Sequence, residues 1–211
     1  MRIKTILAKA PLPETTSRMT TSRMTTSPMT TPRLLLGLLL LTLLYVPATS
    51  ALDLPAPPAG YAWQECADIK GALLVPDGWH FKRLEDEKSG KLSYTITPTP
   101  WEPPQQITHG LTFNILREVP GGIASAFAQR YVSEMAASTG SPQTWNTDSG
   151  SFKGHGIIYS DGASQIFNLV LANDKTGTAF LITFESPLEQ WTEAWSKVQP
   201  IVRQLMIDDT I

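Results

Sequence analysis

Three histidines, one cysteine, an acidic triplet and a glycine-rich run are the residues of this chain from which a site could be built. His80, His109 and His155 lie far apart and on different elements, and none has a second ligand at helical or strand spacing. A joint metal site would need the fold to bring them, or acidic side chains, together. Glu85, Asp86 and Glu87 offer hard oxygens to a cation such as calcium, but charges at a hairpin tip ordinarily keep a sheet edge soluble. Cys66 is the sole cysteine, so it has no partner for an internal disulfide, and no base stands near it in sequence. It is expected to pack as a small buried thiol, with an intermolecular disulfide as the alternative.

Residues 150–156 (Gly-Ser-Phe-Lys-Gly-His-Gly) lack the Lys-Ser/Thr pair and the following helix of a phosphate loop. They read as a strand bend or hairpin. Ser160 and Asp161 near His155 form the one local grouping of hydrolase type, yet Asp161-Gly162 reads better as a type I′ hairpin turn. The GxSxG, HExxH, CxxC, dinucleotide and P-loop fingerprints are absent. No catalytic, metal or cofactor-binding residue is assigned, and no cofactor is expected.

The compartment is written more clearly. Arg33 precedes the apolar run 34–46, and Pro47, Ala48, Thr49, Ser50 and Ala51 follow it. The run is about 13 residues long, whereas a spanning helix needs about 20. A short apolar core with a basic flank and small residues behind it reads as a cleaved secretory signal over 33–51, with cleavage after Ala51 and Ala48 as runner-up. Cys66 lies well beyond the run, so a lipid anchor is not expected. Residues 1–32 read as a low-complexity leader, in which 15–31 repeat Thr-Thr-Ser-Arg-Met with small changes. The repeat has no apolar face to bury. Translation from Met19, Met24 or Met29 would give a signal of ordinary proportions; a genuine long leader is the alternative.

Beyond residue 51 the chain has 11 basic and 18 acidic residues, a formal charge of −7, and all six tryptophans. Phosphate backbones and anionic headgroups repel such a domain, which excludes nucleic-acid and membrane-surface roles. The 160 residues suit one domain with one core.

The elements needed to position these residues follow from pattern. Residues 52–60 are Pro/Ala-rich and read as an extended lead-in, and 61–70 as a short strand or a turn of helix. Residues 71–75 and 79–84 read as paired strands about the turn Pro76-Asp77-Gly78. Residues 92–97 and 111–116 alternate as half-buried strands, separated by the proline-rich loop 101–106. Ile123, Phe127, Tyr131 and Met135 recur at a helical spacing of four. Strands follow at 145–153, 156–159 and 165–172, then a hairpin loop at 173–177 and a last strand at 178–184. Ser186, Pro187 and Glu189 match a capping box for a final helix carrying Leu188, Trp191, Trp195, Val198, Val202 and Leu205, which Pro200 should bend or split. Short hairpins imply a mainly antiparallel sheet, so the class is α+β.

The segment 72–81 (Ala-Leu-Leu-Val-Pro-Asp-Gly-Trp-His-Phe) resembles the opening strand, turn and Gly-Trp of the Mog/PsbP-like superfamily. Residues 109–116 are similar to its second signature strand, and 179–187 with the Trp-bearing helix to its end. The resemblance covers most of 61–207 and implies a single PsbP-like domain over 61–211, an α/β/α sandwich around an antiparallel sheet. Superfamily members include an extrinsic photosystem subunit, a Ran-binding nuclear protein and exported bacterial proteins, the last being the branch that the signal and acidic domain fit. No catalytic motif carries over. The expectation is an exported, periplasmic or extracellular, non-enzymatic protein that binds a protein partner or assists an envelope complex. Trp101, Pro103 and Pro104 are the candidate partner surface, although Trp101 capping the core is an equal reading. The alternative is a small-ligand binder or hydrolase whose site, built from distant residues, holds at least two of the histidines or several carboxylates.

Overall fold

Alternating strands need two partners for their two faces, and this chain supplies a helix for each. A computed structural model describes residues 3–6, 52–86, 91–119 and 122–211. The repeat at 15–31, the apolar run and the expected cleavage point at Ala51 lie outside the described residues. In chain order the elements are β1 (Ile3–Ile6), β2 (Tyr61–Cys66), β3 (Gly71–Pro76), β4 (His80–Asp86), β5 (Lys91–Thr97), β6 (Gly110–Leu116), α1 (Ala124–Ser138), β7 (Gln143–Ser149), β8 (Phe152–Ser160), β9 (Ser164–Asn173), β10 (Thr178–Pro187), α2 (Trp191–Arg203) and β11 (Leu205–Asp208). Single turns of 3-10 helix span Ala67–Ile69 and Leu188–Gln190.

Two antiparallel sheets result. The larger has the order β4-β5-β6-β10-β9-β8-β7, the smaller β1-β11-β3-β2. β1 falls within the segment that the sequence gives as leader, and it pairs from Ile3–Asp208 to Ile6–Leu205. In β9 and β10 the period of two divides the side chains cleanly. Phe167, Leu169, Leu171, Phe180, Ile182 and Phe184 face Trp195, Val198 and Val202 of α2, together with Leu73, Leu74 and Ile207 of the smaller sheet. Val170, Ala172, Ala179 and Leu181 face Ala124, Ala128 and Val132 of α1. The result is the α/β/α sandwich, with the large sheet as the middle layer.

Several local expectations change. Residues 71–75 and 79–84 do not pair with each other. β3 pairs with β2 and β11, and β4 with β5, so Pro76–Gly78 turns the chain from one sheet to the other. The turn itself is as expected, with Trp79 N–H donating to Pro76 O at 3.0 Å and Gly78 at φ 77°. Residues 178–184 are not the last strand, because β11 follows α2. Leu205 accordingly sits in β11 and not on the helix.

The capping box does not form. Ser186 and Pro187 are still paired to Gln165 and Ser164 of β9, and no side chain caps the turn that follows. α2 runs through Pro200 as one helix. The proline stands in the last turn, where its missing N–H removes one helical bond, to the Ser196 carbonyl, and only three helical residues follow it. On α1 the fully buried stripe is Ala124, Ala128 and Val132, while Ile123 precedes the helix and is 55% exposed. The Asp161 turn is not type I′, which requires positive φ at both central residues. Only Gly162 is positive, and Asp161 Oδ1 accepts from Ala163 N and Ser164 N at 2.9 and 2.7 Å.

The glycine-rich run joins β7 to β8 as a hairpin. Gly156 is also a packing device. It pairs with Trp145 across the two strands, and a Cβ there would overlap the indole, which lies over it against Phe167 at 5.5 Å between centroids. Gly156→Ala is expected to cost roughly 1–3 kcal/mol by overpacking, read as a lower urea midpoint at unchanged m-value. Combined with Trp145→Ala, the loss should be less than the sum of the two single losses; additive losses would contradict the packing account.

Candidate functional site

The proline-rich connection between β5 and β6 follows from its composition: three prolines in five residues deny it ladder hydrogen bonds. It is held at several points. Thr97 Oγ1 donates to Thr99 O at 2.7 Å, Trp101 Nε1 to Gln105 O at 2.9 Å, and Gln105 N to Glu102 O at 3.2 Å. Lys82 of β4 forms an ion pair with Glu102. Trp101 is half-buried, its one polar atom satisfied within its own loop, while Pro103 and Pro104 are exposed. The three candidate residues share one protruding turn.

The histidines do not meet. His80 is exposed at the start of β4. His109 ends the loop and stands edge-on to Trp79 (6.1 Å, 88°). It lines a depression of about 220 Å³ with Gln190, Glu193 and Lys197 beside α2. His155 lines another of about 240 Å³ with Gln129, Ser133, Thr144 and Asn146, on the α1 side of the sheet. Among the described residues no group of three or more His, Cys, Asp and Glu could hold a metal ion. Among the described residues, each of these two depressions holds one histidine.

Burial holds both imidazoles below their ordinary pKa, helped by Lys197 at His109 and by Lys153 at His155, and opposed by Gln190 and Glu193 at the former and Asp148 at the latter. His109 Nε2 is buried with no hydrogen-bond partner, so an added proton there would find no acceptor. Cys66 behaves as a core residue: it is 1% exposed, its Sγ is 3.5 Å from Gln64 O, and burial pushes its pKa up to about 12. A thiol so protonated is no nucleophile at neutral pH.

Two polar clusters have no sequence signal. Asp68 accepts from Arg83 Nε and Nη2 at 2.7 and 3.2 Å and from Tyr94 OH at 2.6 Å, while Arg117 Nη2 reaches its backbone carbonyl at 3.1 Å. The Arg83 hydrogen bond, aided by Tyr94, lowers the Asp68 pKa against the effect of burial. The carboxylate is fully engaged, so it serves as a clasp between the Ala67–Ile69 turn and strands β4 and β5, not as a base. Asp174, in the β9–β10 hairpin, accepts from Ser125 N and Oγ at 2.7 Å each and from Lys153 Nζ at 3.2 Å. It caps α1 from a distance, which the helix needs because its own N-cap, Ile123, has no side-chain acceptor. Partners 15 and 49 residues apart follow no local period.

No family model and no curated protein matches the chain. Among solved structures it is similar to the Ran-binding protein Mog1p of Saccharomyces cerevisiae, with 13% identity and a TM-score of 0.44 over 71% of this chain and 96% of that one. It is also similar to the cyanobacterial PsbP (CyanoP) of Synechocystis, with 14% identity and a TM-score of 0.47 over 77% and 100%. These are the two kinds of protein named by the resemblance of 72–81, 109–116 and 179–187.

The depressed histidines set an acid limit. Between their folded values and 6.5 the unfolded chain binds more protons, so stability is complete above 6.5 and falls as pH drops through that window. His109→Gln with His155→Gln is expected to flatten the stability–pH slope below 6.5. Imidazole resonances titrating at or above 6.5 in the folded chain would contradict the assignment.

Proposed function

We propose that the chain is exported and that its mature domain acts by binding a protein partner, with Trp101, Pro103 and Pro104 on the contact surface. The observation that carries this reading is the pinned loop. Proline fixes φ, and the Glu102–Lys82 and Trp101–Gln105 contacts fix the rest, so much of the ordering entropy of a contact is spent before a partner arrives. A half-buried tryptophan beside exposed prolines is the composition of a binding hot spot. The formal charge of −7 beyond residue 51 turns away phosphate-rich partners and favours a neutral or basic protein surface. Among the described residues no helix is long and apolar enough to cross a membrane.

Two measurements test the proposal. The native polypeptide from the envelope or medium is expected to begin at Leu52, without β1, leaving β11 paired with β3 alone; recovery from the cytosol with 34–46 still attached would overturn export. Affinity capture from envelope extract is expected to recover a partner that Trp101→Ala with Pro103→Ala and Pro104→Ala loses by about tenfold or more, as for hot-spot truncation. Saturable binding of a metabolite with no partner recovered would favour the small-ligand reading instead.

A further inference from the structure

The large sheet ends in two edges of different chemistry. The β4 edge carries Lys82, Arg83, Glu85 and Asp86 within seven residues, the usual defence against a foreign strand. β7 (Gln-Thr-Trp-Asn-Thr-Asp-Ser) has one charge, Asp148, and neither lysine nor proline. Its register with β8 runs residue for residue from Gln143–Ile158 to Ser149–Phe152, with no bulge to twist the edge away. Among the described residues β8 is the only strand paired with it. The other side of β7 therefore presents backbone N–H and C=O groups whose natural complement is another extended backbone.

What lies beside this edge adds specificity. Alternation turns Trp145 toward the core and Thr144, Asn146 and Asp148 toward the α1 side. There β7, β8 and α1 enclose the depression of about 240 Å³, whose polar lining is Gln129, Ser133, Thr144, Asn146 and His155, with no charged side chain. His155 Nδ1 is 2.8 Å from Asn146 Oδ1. With the Asn146 amide oxygen assigned to face the ring, Nδ1 donates and Nε2 keeps a lone pair to offer.

We propose that β7 takes up an extended segment of a partner protein as an added strand, laid along the edge beside α1, with one uncharged hydrogen-bond-donating side chain (Ser, Thr, Asn or Gln) in the depression. The proposal rests on the partner-binding reading and supplies its mode: backbone pairing for affinity, the depression for choice of side chain. A carboxylate side chain is disfavoured there, because Asp148 flanks the site, the domain is acidic, and the nearby Lys153 is paired with Asp174.

The test uses the purified protein and a capped nonapeptide alternating threonine and valine about a central glutamine, with central glutamate and leucine versions beside it. Saturating glutamine peptide is expected to slow amide exchange by roughly tenfold or more along Gln143–Ser149 and not along β4. His155→Phe should weaken that peptide about fivefold, the worth of one neutral hydrogen bond, and leave the leucine peptide unchanged. Thr144→Lys, an exposed gatekeeper that leaves the tryptophan emission of the fold intact, should abolish pairing. Protection absent from β7 with every peptide, equal binding of the glutamate peptide, binding of free acetamide alone, or self-association through β7 would each overturn the proposal. If Thr144→Lys leaves partner capture intact while the Trp101 variant loses it, strand addition fails and the partner-binding reading stands.

Discussion

Trp195 is the side chain on which the layering depends. Its indole lies 4.8 Å from the Phe167 ring and 5.8 Å from that of Phe184, and it stacks on Trp191 at 5.3 Å with 7° between planes. One residue of α2 therefore touches β9 and β10, the two strands with the longest pairing in the sheet. Its Nε1 is buried without a partner, a cost of about 1–3 kcal/mol. Truncating a buried aromatic of this size costs about 3–5 kcal/mol, so the apolar contact outweighs the stranded donor. Turning the indole to satisfy the N–H would open the seam it closes.

Polar contacts do the work that apolar packing cannot direct. Asp68 fixes the Ala67–Ile69 turn beneath β4 and β5, where it joins an arginine, a tyrosine and its own backbone carbonyl to Arg117. Asp174 supplies α1 with the N-terminal acceptor its sequence lacks, and Lys153 holds the same carboxylate. Each is a charged group with more than one hydrogen-bond donor on it, the arrangement in which a carboxylate pair is strongest. Together they set where the two sheets and the first helix sit along the strands, which Leu, Phe and Ala contacts alone would leave free to slide.

The surface divides along similar lines. β4 carries four charged side chains, whereas β7 has Asp148 alone and the Trp101 loop Glu102 alone. Both histidine depressions are small and open beside a helix, and they belong to opposite faces of the sheet. Convergent acid–base pairs, the signature of a reaction centre, do not arise from these groups: the engaged carboxylates are already satisfied and the thiol is protonated.

The amino-acid order by itself determined what is local. Period-two alternation located strands β5 and β6, and spacing by four located α1. Pro76-Asp77-Gly78 announced a turn, and three prolines announced the loop that holds Trp101. Pairing was another matter. A turn states that the chain reverses, not which neighbour it will meet, and so β3 and β4 were assigned to each other although they belong to different sheets. The continuation of β10 through Ser186 and Pro187, the passage of α2 through Pro200 and the return of 205–208 as a strand were decided by backbone partners available only after collapse. The same holds for the site. Residue types marked Trp101 and the histidines as reactive or exposed groups. The separation of the histidines, the clasp at Asp68 and the open edge at β7 arise from contacts between distant segments, because hydrogen bonds and burial depend on what lies near in space, and sequence order constrains that only within a turn or two.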